Sequence, residues 1–171
     1  MFKKIFGFVL DFLFPRKCGV CNKLNDNFVC KDCLKRINVF KIYNFSEEGI
    51  WIYRYEGIVR NLIIDYKFKD KSYLCELFAN CILSDGEVCK IIRKYDIILP
   101  VPLHKKRFKE RGYNQSKLIS DILAQKLGVQ TFDDVLVKIK NTLPQGKNLL
   151  HDRRKAIKGA FCVENSDKIR G

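Results

Sequence analysis

The sequence is poor in the groups on which much enzyme chemistry rests. Its 171 residues include two histidines, and neither His104 nor His151 has an evident carboxylate or nucleophile partner. Neither is therefore assigned proton transfer. His104, set among cations, is expected to be a neutral imidazole acting as a hydrogen-bond donor. Neither GxGxxG nor GxxxxGK[ST] occurs, which removes the glycine-rich phosphate loops. No apolar run approaches the roughly 20 residues of a membrane span. The nearest is MFKKIFGFVLDFLF, residues 1–14. Its basic start imitates an export signal, but Asp11 interrupts it and no small-x-small cleavage site follows. Phe2, Ile5, Phe6, Val9 and Leu13 recur at helical spacing, which predicts an amphipathic helix over 1–14. The chain reads as cytoplasmic, with peripheral association at the inner membrane face as the alternative. Acids are scarce too: 19 against 33 lysines and arginines, a net charge of +14. That balance favours polyanionic partners, nucleic acid among them, over acidic-surface functions. A lysine-rich surface that only keeps the protein soluble is the plain alternative.

Cysteine, by contrast, is abundant, and four of the eight are arranged. CGVCNKLNDNFVCKDC places Cys18, Cys21, Cys30 and Cys33 as two CxxC pairs eight residues apart. Each CxxC is a tight knuckle that turns two sulfurs to one side, and tetrahedral zinc takes four thiolates. Two disulfides would need an oxidising compartment, and a thioredoxin-like CxxC would need βαβ flanks. Polar, turn-rich neighbours and a weak export signal favour structural zinc over both. No open coordination position is evident, so a catalytic zinc is not expected. Cys75, Cys81, Cys89 and Cys162 match no knuckle spacing and read as small buried hydrophobes.

Residues 34–50 show little periodicity and read as a connector. IWIYRY, from Ile50, alternates like a strand. Helical spacing follows over Ile58–Tyr66 and Leu74–Leu83. YDIIL (95–99) is a buried-strand run ended by Pro100. SKLISDILAQKLG (116–128) is the clearest helix, with Gly128 placed to stop it. DVLVKIK (134–140) then returns as a strand. Strand, helix, strand is a βαβ unit and predicts an α/β fold with a mainly parallel sheet. Ligands of such sheets collect at the carboxyl ends of strands, which puts the loop opening at Pro100 on the functional edge.

That loop, PVPLHKKRFKERGYNQ, holds five cations against Glu110. A second cationic stretch, NTLPQGKNLLHDRRKAIKGAF, carries Thr142, Pro144, Gln145 and Arg153 among its donors. Arginine forks suit phosphate, and the crossover brings both stretches to one edge as a shared anion site. Asp133-Asp134 imitates a magnesium pair but precedes its strand, so a solvated turn is the preferred reading.

Taken in order, PRKCGVC…CKDC, YRYEGIVRNLIIDYKFKD, DIILPVPLHKKRFKERGYNQSKLIS and TLPQ…RR…GAF resemble the ComF family over essentially the whole chain. The resemblance implies a zinc ribbon over 15–36 and a Rossmann-like phosphoribosyltransferase domain over 50–171. Pro100, Val101, Pro102, Leu103 and His104 would form the turn on the pyrophosphate of phosphoribosyl pyrophosphate. Lys105, Arg107 and Arg111 would supply charge there, and Asn114 and Gln115 amides. Thr142, Pro144, Gln145 and Arg153 would belong to a hood over the site. The family's next element is a strand leading into Asp-Asp-x-x-Thr-Thr-Gly, which holds ribose, 5′-phosphate and magnesium. No such motif follows SDKIRG, so the chain reads as a C-terminally truncated member whose transferase site is incomplete and inactive. The resemblance further implies a role in DNA uptake during natural transformation, binding single-stranded DNA beside a helicase. Phosphoribosyl transfer is the alternative.

Overall fold

A computed structural model of the chain describes residues 17–47, 49–142, 155 and 157–170. The helix expected over 1–14 and the hood residues Pro144, Gln145 and Arg153 lie outside the described residues. The chain divides into two compact units, residues 1–80 and 81–171.

The first unit begins with an antiparallel bridge between Lys17 and Leu24. Helix α1 (Lys31–Asn38) follows, then a hairpin of β1 (Lys41–Ser46) and β2 (Gly49–Tyr53). The expected connector over 34–50 is therefore structured. Its short helix presents only Cys33 and Ile37 to the interior, too few positions to show a period. Helix α2 (Gly57–Phe68) buries Val59, Leu62 and Tyr66, one face at helical spacing. Its first residue sits at φ +48, and a Cβ there would stand 2.6 Å from the Phe40 ring, so glycine serves both conformation and contact. Helix α3 (Leu74–Leu83) buries Leu74 completely. The Tyr66 and Phe78 rings pack at 5.2 Å.

In the second unit, α4 (Gly86–Ile92) is capped by Asp85, whose carboxylate accepts from the Glu87 and Val88 N–H groups. Strand β3 (Ile97–Ile98) leads through Pro100 to α5 (Lys105–Arg111), α6 (Gln115–Leu127) and β4 (Gln130–Thr131). Strands β5 (Leu136–Lys138) and β6 (Phe161–Val163) and a 3-10 turn at Ser166–Ile169 complete it. Leu123, Ala124, Leu127, Val135 and Ala160 are among its buried apolar residues.

The fold is mixed α/β, but among the described residues its sheets are small and not clearly mainly parallel. Only β3 and β4 pair in parallel among the described residues, whereas β1–β2 and β5–β6 are antiparallel. The helix after β3 does return to a parallel strand, yet at 130–131 rather than 134–140. The turn at Phe132–Asp134 separates that return from β5. Asn165 donates to the Asp134 carbonyl and Glu164 N–H to the Val135 carbonyl, aligning β5 with the chain after β6 instead. No helix among the described residues is long and apolar enough to cross a membrane.

Candidate functional site

The arranged cysteines converge. The sulfurs of Cys18, Cys21, Cys30 and Cys33 all lie within 4.8 Å of one another. Local backbone chemistry explains the first knuckle. Asn22 N–H donates to the Cys18 carbonyl at 2.9 Å and Cys18 N–H to the Lys23 carbonyl at 2.8 Å, with Asn22 itself at φ 60. The second knuckle is the start of α1, with Cys30 as its N-cap and Cys33 in the first turn.

The Cys21 and Cys30 sulfurs are 3.8 Å apart, far beyond a disulfide bond of about 2.0 Å. Zinc–sulfur bonds of about 2.3 Å give a tetrahedron edge of about 3.8 Å, so the spacing fits a metal. All eight cysteines are free thiols. Electrostatics agree with that fit. Burial works to raise the Cys18 thiol, but backbone donors from Cys21, Cys30 and Val20 outweigh it and hold it down at about 6. Burial and the neighbouring thiols of Cys30, Cys21 and Cys18 push Cys33 up to about 12. Thiols this close cannot all ionise without a cation among them. The four cysteines could thus hold a metal ion. Of the remaining cysteines, Cys81 and Cys89 are buried, and Cys75 and Cys162 are half-buried.

The basic loop is not a loop. It forms α5, with His104 as N-cap and Gly112 at φ 74 closing the other end. His104 Nδ1 accepts from the Lys106 N–H at 3.2 Å.

The helix sorts its charges onto two faces. Lys105, Phe108 and Lys109, spaced i, i+3, i+4, line a cleft of about 310 Å³. Pro102 and Leu103 after β3, Asn114 and Lys117 at the start of α6, Asp133 after β4 and Leu136–Lys138 of β5 complete its walls. The cleft therefore lies beyond the carboxyl ends of the parallel pair, where sheet ligands collect. A larger cavity of about 590 Å³, lined by Tyr95, Asp96, Gly128 and Val129, lies at the amino ends.

The opposite face carries Arg107, 2.8 Å from Glu110, and Arg111, which donates to the Gln115 side chain at 3.0 Å. Arg107 does not line the cleft but reaches it electrostatically. Burial lowers the Lys138 ammonium pKa, and the charge of Arg107 lowers it further. Arg111 is likewise lowered, first by burial and then by Arg107.

Of the sequence-derived anion residues, Pro102, Leu103, Lys105 and Asn114 meet in the cleft. Asn114 orders the chain there: its Nδ2 donates to the Val101 carbonyl, and its Oδ1 caps α6 by accepting from Ser116 and Lys117 N–H. Pro100 and Gln115 are buried, while Val101 is exposed. Thr142 makes a backbone turn to Lys140 and does not line the cleft. Phe108 escaped the sequence reading because its partners appear only once residues 105–111 are wound as a helix. Both aspartates of the suspected magnesium pair face lysines: Asp133 stands 3.8 Å from Lys117, and Asp134 is paired with Lys168.

No family model matches this chain. Among curated proteins, it is 26% identical over 151 residues to Competence protein F of Haemophilus influenzae, covering 85% of this chain and 63% of that protein. It is 24% identical over 108 residues to Competence protein ComFC of Bacillus subtilis, covering 62% of this chain and 44% of that protein. The chain thus spans between two fifths and two thirds of the length of these relatives. The similarity runs through a chain that brings four cysteines together in the CxxC…CxxC order, and the names of these relatives support the resemblance to the ComF family.

Proposed function

We propose that this chain acts in DNA uptake during natural transformation, as an accessory protein that holds single-stranded DNA and works beside a helicase in the cytoplasm. The observation that carries the DNA-binding part is the cationic cleft. Among the described residues, Lys105, Lys109 and Lys138 have no carboxylate partner, and all three line one cavity with apolar walls. Unneutralised ammonium groups beside apolar surface suit a nucleic-acid strand better than they suit water alone. The names of the two relatives support the uptake role. A structural zinc on Cys18, Cys21, Cys30 and Cys33 completes this reading, acting by holding the first unit together.

The position of the cleft at the carboxyl ends of β3 and β4 favours a second reading, phosphoribosyl transfer from magnesium-bound phosphoribosyl pyrophosphate on a Rossmann-like scaffold. A titration of single-stranded DNA by fluorescence anisotropy separates the two. Binding is expected to follow log K against log[salt] with a slope near about −3, as for roughly four neutralised phosphates. Absence of binding at low salt overturns the DNA reading. Calorimetric binding of magnesium phosphoribosyl pyrophosphate by a protein that ignores DNA establishes the second.

A further inference from the structure

We propose that the cleft seats one nucleotide of a bound strand, its base lying on the Phe108 ring and its phosphates among Lys105, Lys109 and Lys138. The inference rests on the DNA reading above and adds to it a recognised chemical unit, a flat aromatic base joined to an anion.

The composition of the walls carries the argument. A site for phosphate or pyrophosphate alone needs cations and N–H donors and has no use for hydrocarbon. This cleft places Pro102, Leu103, Phe108, Leu136 and Val137 among its lysines. Phe108 is 49% exposed although it lies on a helix whose other six residues are all charged. A phenylalanine that the fold does not need to bury, set between two lysines with no carboxylate partner among the described residues, has the makings of a stacking platform.

Size restricts the occupant. About 310 Å³ is at the small end of ligand pockets, which run from about 300 to 1,000 Å³. One nucleotide can enter, while the rest of a strand would continue across the surface. Stacking accepts every base, because each has a π-face, so the seat by itself selects nucleic acid over inorganic anions without selecting sequence. Electrostatics prepare it for charge. Lys138 is partly desolvated and lies in the field of Arg107, so its ammonium gains from an arriving phosphate.

Three proteins and two probes test the proposal. The proteins are the full chain, Phe108→Ala and Phe108→Tyr. The probes are an oligonucleotide of about 12 residues, within the usual span of single-strand sites, and an abasic strand with the same phosphates. The full chain is expected to bind the normal strand about tenfold more tightly than the abasic one. Phe108→Ala should lose that preference and weaken normal-strand binding about tenfold, while Phe108→Tyr retains both. The exposure of Phe108 makes the alanine variant tolerable to the fold, and far-UV circular dichroism of the two variants verifies it. Equal affinity for both probes in the full chain, or unchanged affinity in Phe108→Ala, overturns the nucleotide seat. In either case salt-dependent binding of both strands would leave the broader DNA reading standing. No binding of either strand by the full chain would remove both.

Discussion

In the first unit, four thiols at fixed intervals in one short stretch converge within 4.8 Å, whereas the cations of the second unit come together from a helix, a helix start and a strand. The cysteine cluster is a local arrangement. Its parts lie between residues 18 and 33, and its turns are made by backbone bonds inside the same stretch. The cleft is non-local. Lys105 and Lys138 are brought together by the α6 crossover and by the pairing of β5 with β6.

The largest effect expected from breaking the comparison falls on the metal. Structural zinc contributes about 10–16 kcal/mol in small zinc domains, as much as a domain's whole net stability of about 5–15 kcal/mol. Cys18→Ser should therefore abolish zinc by elemental analysis, where the parent holds one ion per chain. The thermal transition of the first unit should collapse with it. Zinc content unchanged by the substitution would remove the metal reading. The knot also reaches the surrounding core. Gly19 packs so closely that a Cβ would stand 2.9 Å from both Leu74 and Tyr73, and Lys71 spans from Asp65 to the Gly19 carbonyl. Gly19→Ala is expected to cost about 1–3 kcal/mol in urea denaturation by overpacking, with zinc retained. A neutral effect there would show the ribbon to be less tightly joined to α3 than its geometry states.

The same contrast explains what could be read from the residues alone. CxxC spacing specifies chemistry and geometry together, so the convergence of the four cysteines was legible before any fold was known. Helices α2, α3 and α6 were legible for a similar reason, each being long enough to repeat its apolar face. Gly128 at φ 71 ends α6 where a glycine stop was expected. Helix α5 was not legible because nearly all its residues are charged, which leaves no apolar stripe to count. Its two-face division exists only at helical spacing, and Phe108 among five cations looked incidental. The return strand was misplaced because VLVKIK outweighs Gln130-Thr131 in β-character. Pairing was decided by hydrogen bonds from Glu164 and Asn165, thirty residues away in the chain, which no local pattern carries.

The most direct test of the cationic cleft compares the salt dependence of single-stranded DNA binding in the full chain and in a variant with Lys105, Lys109 and Lys138 all replaced by alanine. If these three lysines meet phosphates, the slope of log K against log[salt] should become shallower by about 2, with affinity at low salt falling in step. A variant that binds DNA with the parent's slope and affinity would contradict the cleft as the site and move the function of the +14 charge elsewhere on the surface.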